Sequence, residues 1–395
     1  MRILVMVVVL GCGAPTPVRT PEQRTQDSAA AVDALRGTRF SDAERAAASA
    51  LALDPHNSRA AAVRAIAAYQ QAGSELVREL TAVLDEGDAI KALDHERGRA
   101  AWKAFLGKLD AIDRDLAVVA GDPQFSLELC LACWEYDWNR NGHIDERDRK
   151  LFEIEVDERG EELPEGDARR RPTFRFDVGD ADWARAMIAF QRAFVELVLA
   201  YKWSELDSLF SRGPGRLTIH LADAGRVTRA RELVLAGVGF ADRARTEYLA
   251  ETDDDREWVP NPHQKNHPVP LAVDDALYAT WAGVTGDVRR LLTSEEGISM
   301  RELGGALDPE LRRMLPDAYI DLGRMLREPT DIVLEKSDKD TPENYERVLR
   351  GLLGHGYATD MKPSPLVKRL EKMKRELEHG EDRLEKKLRY LLWLN

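Results

Sequence analysis

Asp180-Ala-Asp-Trp-Ala-Arg-Ala-Met-Ile-Ala-Phe-Gln-Arg-Ala-Phe-Val-Glu-Leu-Val-Leu-Ala-Tyr-Lys-Trp203 is the most hydrophobic helical stretch of the chain. Wound at 3.6 residues per turn, Trp183, Met187, Ile188, Phe190, Phe194, Leu197, Val198 and Tyr201 cover more than one face. A surface helix would carry a single apolar stripe. The stretch therefore predicts a central, buried helix. It sets the expected fold class: mainly α, a multi-helix globular domain with at most a few short strands.

Immediately upstream, Thr173-Phe-Arg-Phe-Asp-Val178 alternates like a short strand. Asp177, Asp180 and Asp182 read either as a cation cluster or as the acidic start of the helix, and the dipole argument favours the second. Downstream, residues 227–249 form another long helix. It ends in a loop, 251–270, that holds several acids, Trp258, four prolines, His263 and His267. Two histidines four apart make a zinc pair only on one helix face, and Pro262, Pro268 and Pro270 oppose a helix there. A surface loop is the preferred reading, with Trp258 as the place to look for a partner groove.

Upstream lies the most specific chemical signal, Asp137-Trp-Asn-Arg-Asn-Gly-His-Ile-Asp-Glu-Arg-Asp148. A twelve-residue loop wraps calcium with oxygens from positions 1, 3, 5, 7, 9 and 12 and turns at a glycine in position 6. Those positions are Asp137, Asn139, Asn141, His143 (through its carbonyl), Asp145 and Asp148, with Gly142 at the turn. Residues 125–136 read as an amphipathic helix entering the loop, and 147–156 as a helix leaving it. Over about thirty residues this resembles the EF-hand family, which implies a helix-loop-helix holding one Ca2+. Asp rather than Glu at position 12, with Asn at position 3, looks more like the loops of dockerin modules. With three charged ligands, the expected affinity is weak, on the order of 10⁻⁵ to 10⁻³ M. The 295–302 stretch mimics the back half of such a loop, but its first position would be Leu291, so it reads as a helix-turn-helix without a ligand. A solitary loop without a bistable partner suggests a structural staple rather than a moving sensor.

Net charge is −13, from 57 basic and 70 acidic residues, which argues against a nucleic-acid surface. The 395 residues are 44 % hydrophobic and 32 % charged, ordinary for a helix-rich globular protein of two or three domains. Of the three cysteines, Cys130 and Cys133 form Cys-x-x-Cys in an apolar run without further zinc ligands. They read as two core thiols, or as a local disulfide if the protein is exported.

Residues 1–11 combine one positive charge with an apolar run too short to span a bilayer, the layout of a secretion signal. The run ends in Val-Leu-Gly-Cys12, which resembles a bacterial lipobox. By that resemblance Cys12 carries a lipid, the chain is anchored in the bacterial cell envelope facing the periplasm or exterior, and residues 12–28 form a flexible tether. Residues 29–120 are helical and alanine-rich at the start. Phe40, Ala43, Ala50, Leu51, Leu53, Asp54 and Pro55 resemble the second helix and turn of a tetratricopeptide repeat. Only about one and a half repeats are visible, which suggests a helical cap on the main domain, 121–360.

Residues 272–292 and 308–326 read as helices, and 331–334 as a short strand. A charged helix, 361–395, spaces Leu366, Leu370, Met373 and Leu377 for docking within the chain, with a lipid surface as a further option. Residues 176–183 and 255–262 resemble a group of uncharacterised bacterial proteins with a Phe-Asp-x-Gly-Asp-x-x-Trp start and an Asp-Arg-Glu-Trp-x-Pro-Asn-Pro loop; that resemblance implies no activity. The sequence thus points to a calcium-binding, lipid-anchored envelope protein with a structural or interaction role, with a protein partner as an open expectation. The alternatives are a metal-dependent hydrolase using loop 251–270 and a peptide-binding adaptor or sensor. A Ser/His/Asp elbow, a glycine-rich phosphate loop and a helical His-x-x-x-His are all missing from the sequence.

Overall fold

The structure is a computed structural model and describes residues 19–85, 94–137, 142–157, 159–205, 216–270, 273–335 and 342–377. The signal at 1–11, Cys12, Asn139, Asn141 and most of the final helix lie outside them. Thirteen α-helices and seven short strands make up the described part, so the fold is mainly α.

The first helix, α1 (Pro21–Arg36), starts at Thr20 with a reciprocal cap to Gln23 and a proline in the first turn. The expected tether therefore ends by Thr20, and residues 21–28 are helical. α2 (Phe40–Leu53) buries Ala43, Ala47 and Ala50 against its neighbours. Side chains this small let helix backbones approach closely. Asp54 ends α2 and accepts from the His56 N–H (3.0 Å) and from Arg24 Nε of α1 (2.7 Å). α3 (Ser58–Asp85) and α4 (His95–Ala120) follow, joined by Arg64 Nε donating to Asp115 Oδ2 at 2.7 Å.

The next helices are α5 (Glu146–Lys150), α6 (Val178–Ala200) and α7 (Ala224–Ala250). α6 packs between α4 and α7, and α8 (Asp275–Leu292) lies on α7. The predicted central helix thus occupies the centre. Its most buried positions are small or branched residues, among them Ala186, Ile188, Ala193, Val195 and Leu199. Phe194 is 56 % exposed and leans on Trp102, 5.7 Å between ring centroids. Asp182 sits in the first turns of α6, 2 % exposed, and accepts from Arg243 Nε (2.8 Å) and Nη2 (3.1 Å) of α7. Arg185 joins the same carboxylate at 3.4 Å and reaches Asp113 of α4 at 3.1 Å. One acid therefore ties three helices together.

Residues 125–136 are not the entering helix expected from their apolar content. They form β1 (Leu127–Leu129) and a 3₁₀ turn at Leu131–Cys133. Phe125, Leu127, Leu129 and Leu131 are all buried, with Ser126, Glu128 and Cys130 between them. That is a period of two, which belongs to a strand. β1 pairs antiparallel with β2 (Phe174–Phe176), placing Leu127 opposite Phe176 and Leu129 opposite Phe174.

Cys130 and Cys133 are disulfide-bonded, not core thiols, and Cys133 is exposed. The helix after the loop is α5 alone and stops at Lys150, well short of 156. Beyond α5 the chain folds back on itself: Val156 bridges Glu162, Leu163 is buried, and buried Arg170 pairs with Glu153 at 3.0 Å.

In the last third, β3 (Arg216–Ile219) pairs with β6 (Ile332–Glu335), and β4 (Ile298–Ser299), β5 (Tyr319–Ile320) and β7 (Tyr357–Ala358) make a small sheet. The helices there are α9 (Met300–Leu307), α10 (Leu311–Met314), α11 (Leu322–Arg327) and α12 (Pro342–Leu353). The single helix expected over 308–326 is broken, because Leu315 precedes Pro316 and is extended (ψ 144). α13 (Leu366–Leu377) docks on α8, where Arg369 Nε donates to fully buried Asp287 at 3.0 Å. The alanine-rich helices and residues 119–181 share one hydrophobic core, which includes Leu35, Ala61, Leu127, Trp134 and Trp258.

Candidate functional site

Two carboxylate-rich places deserve comparison, and the β1–β2 pair connects them. The first is loop 137–148, of which Asp137 and 142–148 are described. Gly142 has φ +87, a conformation open to glycine and strained for a side chain. Its N–H donates to Asp137 Oδ2 across the loop at 2.8 Å. At the far end, the Asp145 N–H donates to Asp148 Oδ2 (2.9 Å) and the Asp148 N–H to Asp145 Oδ1 (3.3 Å). Positions 1, 9 and 12 thus have their carboxylates turned by backbone donors. Asp148 is 3 % exposed. The ends of the loop meet through Trp134 and Phe152, whose rings stand 6.2 Å apart, and Trp134 also packs on Phe40 at 5.6 Å. His143 is exposed, as a position that uses only its carbonyl allows. Ile144 is exposed as well.

The second place was only half visible in the sequence. Asp177 caps α6 through Oδ1, which accepts the Gly179 N–H at 2.8 Å. Asp180 Oδ2 accepts the Asp177 N–H (2.9 Å), and Asp180 Oδ1 accepts the Tyr248 hydroxyl (2.9 Å). The helix-start reading of these acids is therefore right for Asp177 and Asp180. Yet Asp177 also meets Glu251 and Glu257, and one oxygen from each of the three lies within 4.8 Å of the others. Gln264 Nε2 holds Glu251 Oε2 at 3.2 Å. Glu257 is 2 % exposed, and Arg175 Nη1 stands 3.7 Å from its Oε1.

Burial first, then the charges of Asp177 and Glu257, pushes Glu251 up to about 9. Burial, followed by Asp177 and Asp253, pushes Glu257 up to about 7, with Arg175 opposing. Asp180 is raised well above the carboxylate range, by burial and then by Asp177. Acids whose folded pKa is raised bind more protons in the native than in the unfolded chain between the two values. With chelator present, stability is therefore expected to be full below about pH 4.5 as far as these groups are concerned. It should fall as pH rises through 7 toward 9. Urea midpoints at pH 5, 7 and 9 check this; a midpoint rising with pH would contradict it.

Loop 251–270 carries no helix or strand and exposes Thr252, Asp254, His263 and Asn266, but its own hydrogen bonds hold it against the protein. Asn261 Nδ2 donates to the Tyr248 carbonyl (2.8 Å), the Tyr278 hydroxyl donates to the Pro260 carbonyl (3.0 Å), and Asp254 Oδ1 accepts from the Asn266 N–H (2.6 Å). Trp258 is buried, 4.7 Å from Phe174 and 5.1 Å from Phe176 by ring centroids, and it lines an apolar cavity rather than an exposed surface. His263 and His267 do not join the carboxylates; His267 Nδ1 lies 3.0 Å from the Val269 carbonyl. An apolar cavity of about 340 Å³ lies beside the cluster. Leu127, Leu129, Trp134, Phe176 and Met187 line it, with Asp177 and Asp180.

Comparison with protein-family models, with curated proteins and with solved structures finds no match.

Proposed function

We propose that this chain is a calcium-binding, lipid-anchored protein of the bacterial cell envelope with a structural or interaction role. The observation that carries the reading is the bond from the Gly142 N–H to Asp137 across a loop whose glycine turns at φ +87. It ties the first loop position to the turn and so aims the Asp137 carboxylate inward, as a hard cation requires. The disulfide between Cys130 and Cys133 supports an oxidising compartment outside the cytoplasm. Among the described residues no helix is long and apolar enough to cross a membrane, and the proposed membrane link is the lipid on Cys12. Bound calcium acts as a staple between β1 and α5, and the acidic surface disfavours nucleic acid.

Calcium titration followed by tryptophan fluorescence and thermal melting tests this, since Trp134 adjoins the loop and Trp138 belongs to it. One equivalent is expected to bind at the loop. At a calcium concentration 100 times the dissociation constant, linkage stabilises the fold by about 2.7 kcal/mol. Asp137→Ala is expected to remove that equivalent and its melting shift. Unchanged binding and melting in the variant would refute the calcium loop.

A further inference from the structure

We propose that Asp177, Glu251 and Glu257 form a second site, for a hard divalent cation, independent of loop 137–148. The three carboxylates come from the start of α6, the end of α7 and the proline-rich loop, so only the folded chain assembles them. Two oxygens bound to one ion at about 2.4 Å stand at most about 4.8 Å apart, and the three here meet that limit.

Each side chain is also aimed. Asp177 Oδ1 is held by the Gly179 N–H and Glu251 Oε2 by Gln264 Nε2. Supporting donors of this kind orient metal ligands.

A separate observation points to the missing partner. Glu257 is 98 % buried by its 2 % exposure, and its Oε1 accepts no hydrogen bond. Arg175, 3.7 Å away, is instead hydrogen-bonded to Asp253 and to Ser126 Oγ (3.3 Å). A buried carboxylate oxygen without a donor is costly unless something positive meets it. All-oxygen ligation without sulfur or imidazole selects Ca2+, Mg2+ or Mn2+ over zinc or copper. Asp177 also borders the cavity, so the cluster is not closed off on that side.

Mn2+ binding to the full chain, measured by equilibrium dialysis with spin-resonance detection, tests the site. Asp137→Ala removes the loop's contribution, and one Mn2+ equivalent is expected to remain. Adding Glu257→Gln is expected to weaken that equivalent about tenfold or more. Without metal, the same substitution removes a buried charge, so its melting temperature is expected to be equal or higher. If Asp137→Ala binds no Mn2+, or if Glu257→Gln leaves its affinity unchanged, the second site is wrong.

Manganese-edge anomalous diffraction of the unsubstituted chain gives a readout that needs no variant. A peak among Asp177, Glu251 and Glu257 is expected. A peak at the loop alone overturns this proposal and leaves the calcium loop standing. A peak at the cluster alone does the reverse.

Discussion

Asp182→Ala is expected to destabilise the chain by about 3 kcal/mol, the low end for breaking a buried ion pair. The carboxylate is 2 % exposed and receives two bonds from Arg243 and one from Arg185. Removing it strands Arg185, whose side chain is only 17 % exposed and is left with Asp113 alone. Arg243 is half-exposed and regains water, which is why the higher figures for fully buried pairs do not apply. Both guanidinium groups also lie over the Phe240 ring, at 4.1 and 4.6 Å, so the loss loosens the packing of α6 on α7. Urea unfolding of the variant beside Asp182→Asn, which keeps one acceptor, measures the effect. Equal stability of Asp182→Ala and the parent would show that the three-helix tie is idle.

Gly179→Ala is expected to cost about 2 to 4 kcal/mol although it adds one methyl group. A Cβ there would stand 2.6 Å from Tyr248 Cε1 and 2.7 Å from Cδ1, and the tyrosine is 1 % exposed. Overpacking of this kind costs about 1–3 kcal/mol. Pushing the ring aside also breaks the hydroxyl's bond to buried Asp180, and an unmet buried polar group costs about 1–3 kcal/mol more. The two residues touch, so their effects should not add. In a Tyr248→Leu background, the same glycine substitution is expected to cost less than half as much. Full additivity in urea unfolding would place the strain elsewhere.

These two positions also show what the sequence could and could not reveal. Trp183 to Tyr201 announced a helix too apolar for a surface, and α6 lies at the centre between α4 and α7. Local signals did well where the physics is local: the Thr173–Val178 alternation and the Asp177 cap both fall as read. The 125–136 stretch failed because its leucines satisfy a helical spacing loosely and a strand spacing strictly. The partner that decides between them, β2, lies some forty-five residues away. The helix over 308–326 failed on Pro316, which forces Leu315 into an extended conformation.

For the site, the spacing of Asp137 to Asp148 was legible because a loop ligand set is contiguous in the chain. The Asp177–Glu251–Glu257 cluster was not, since its members are separated by up to eighty residues and meet only through the packing of α6 on α7. The two blocks at 176–183 and 255–262 were both singled out, and one residue of each enters the cluster. Trp258 was misplaced on the surface for the same reason: nothing near it in the chain names Phe174 and Phe176 as its cover.

The three-rung ladder between β1 and β2 gives the molecule a mechanical property. Leu129 is eight residues before Asp137, and Phe176 is the neighbour of Asp177, so each strand leads directly to one group of carboxylates. Leu127 pairs with Phe176 through the backbone, and both side chains line the same cavity. A pull on one strand is therefore handed to the other across the backbone ladder, beside the cavity that both strands line.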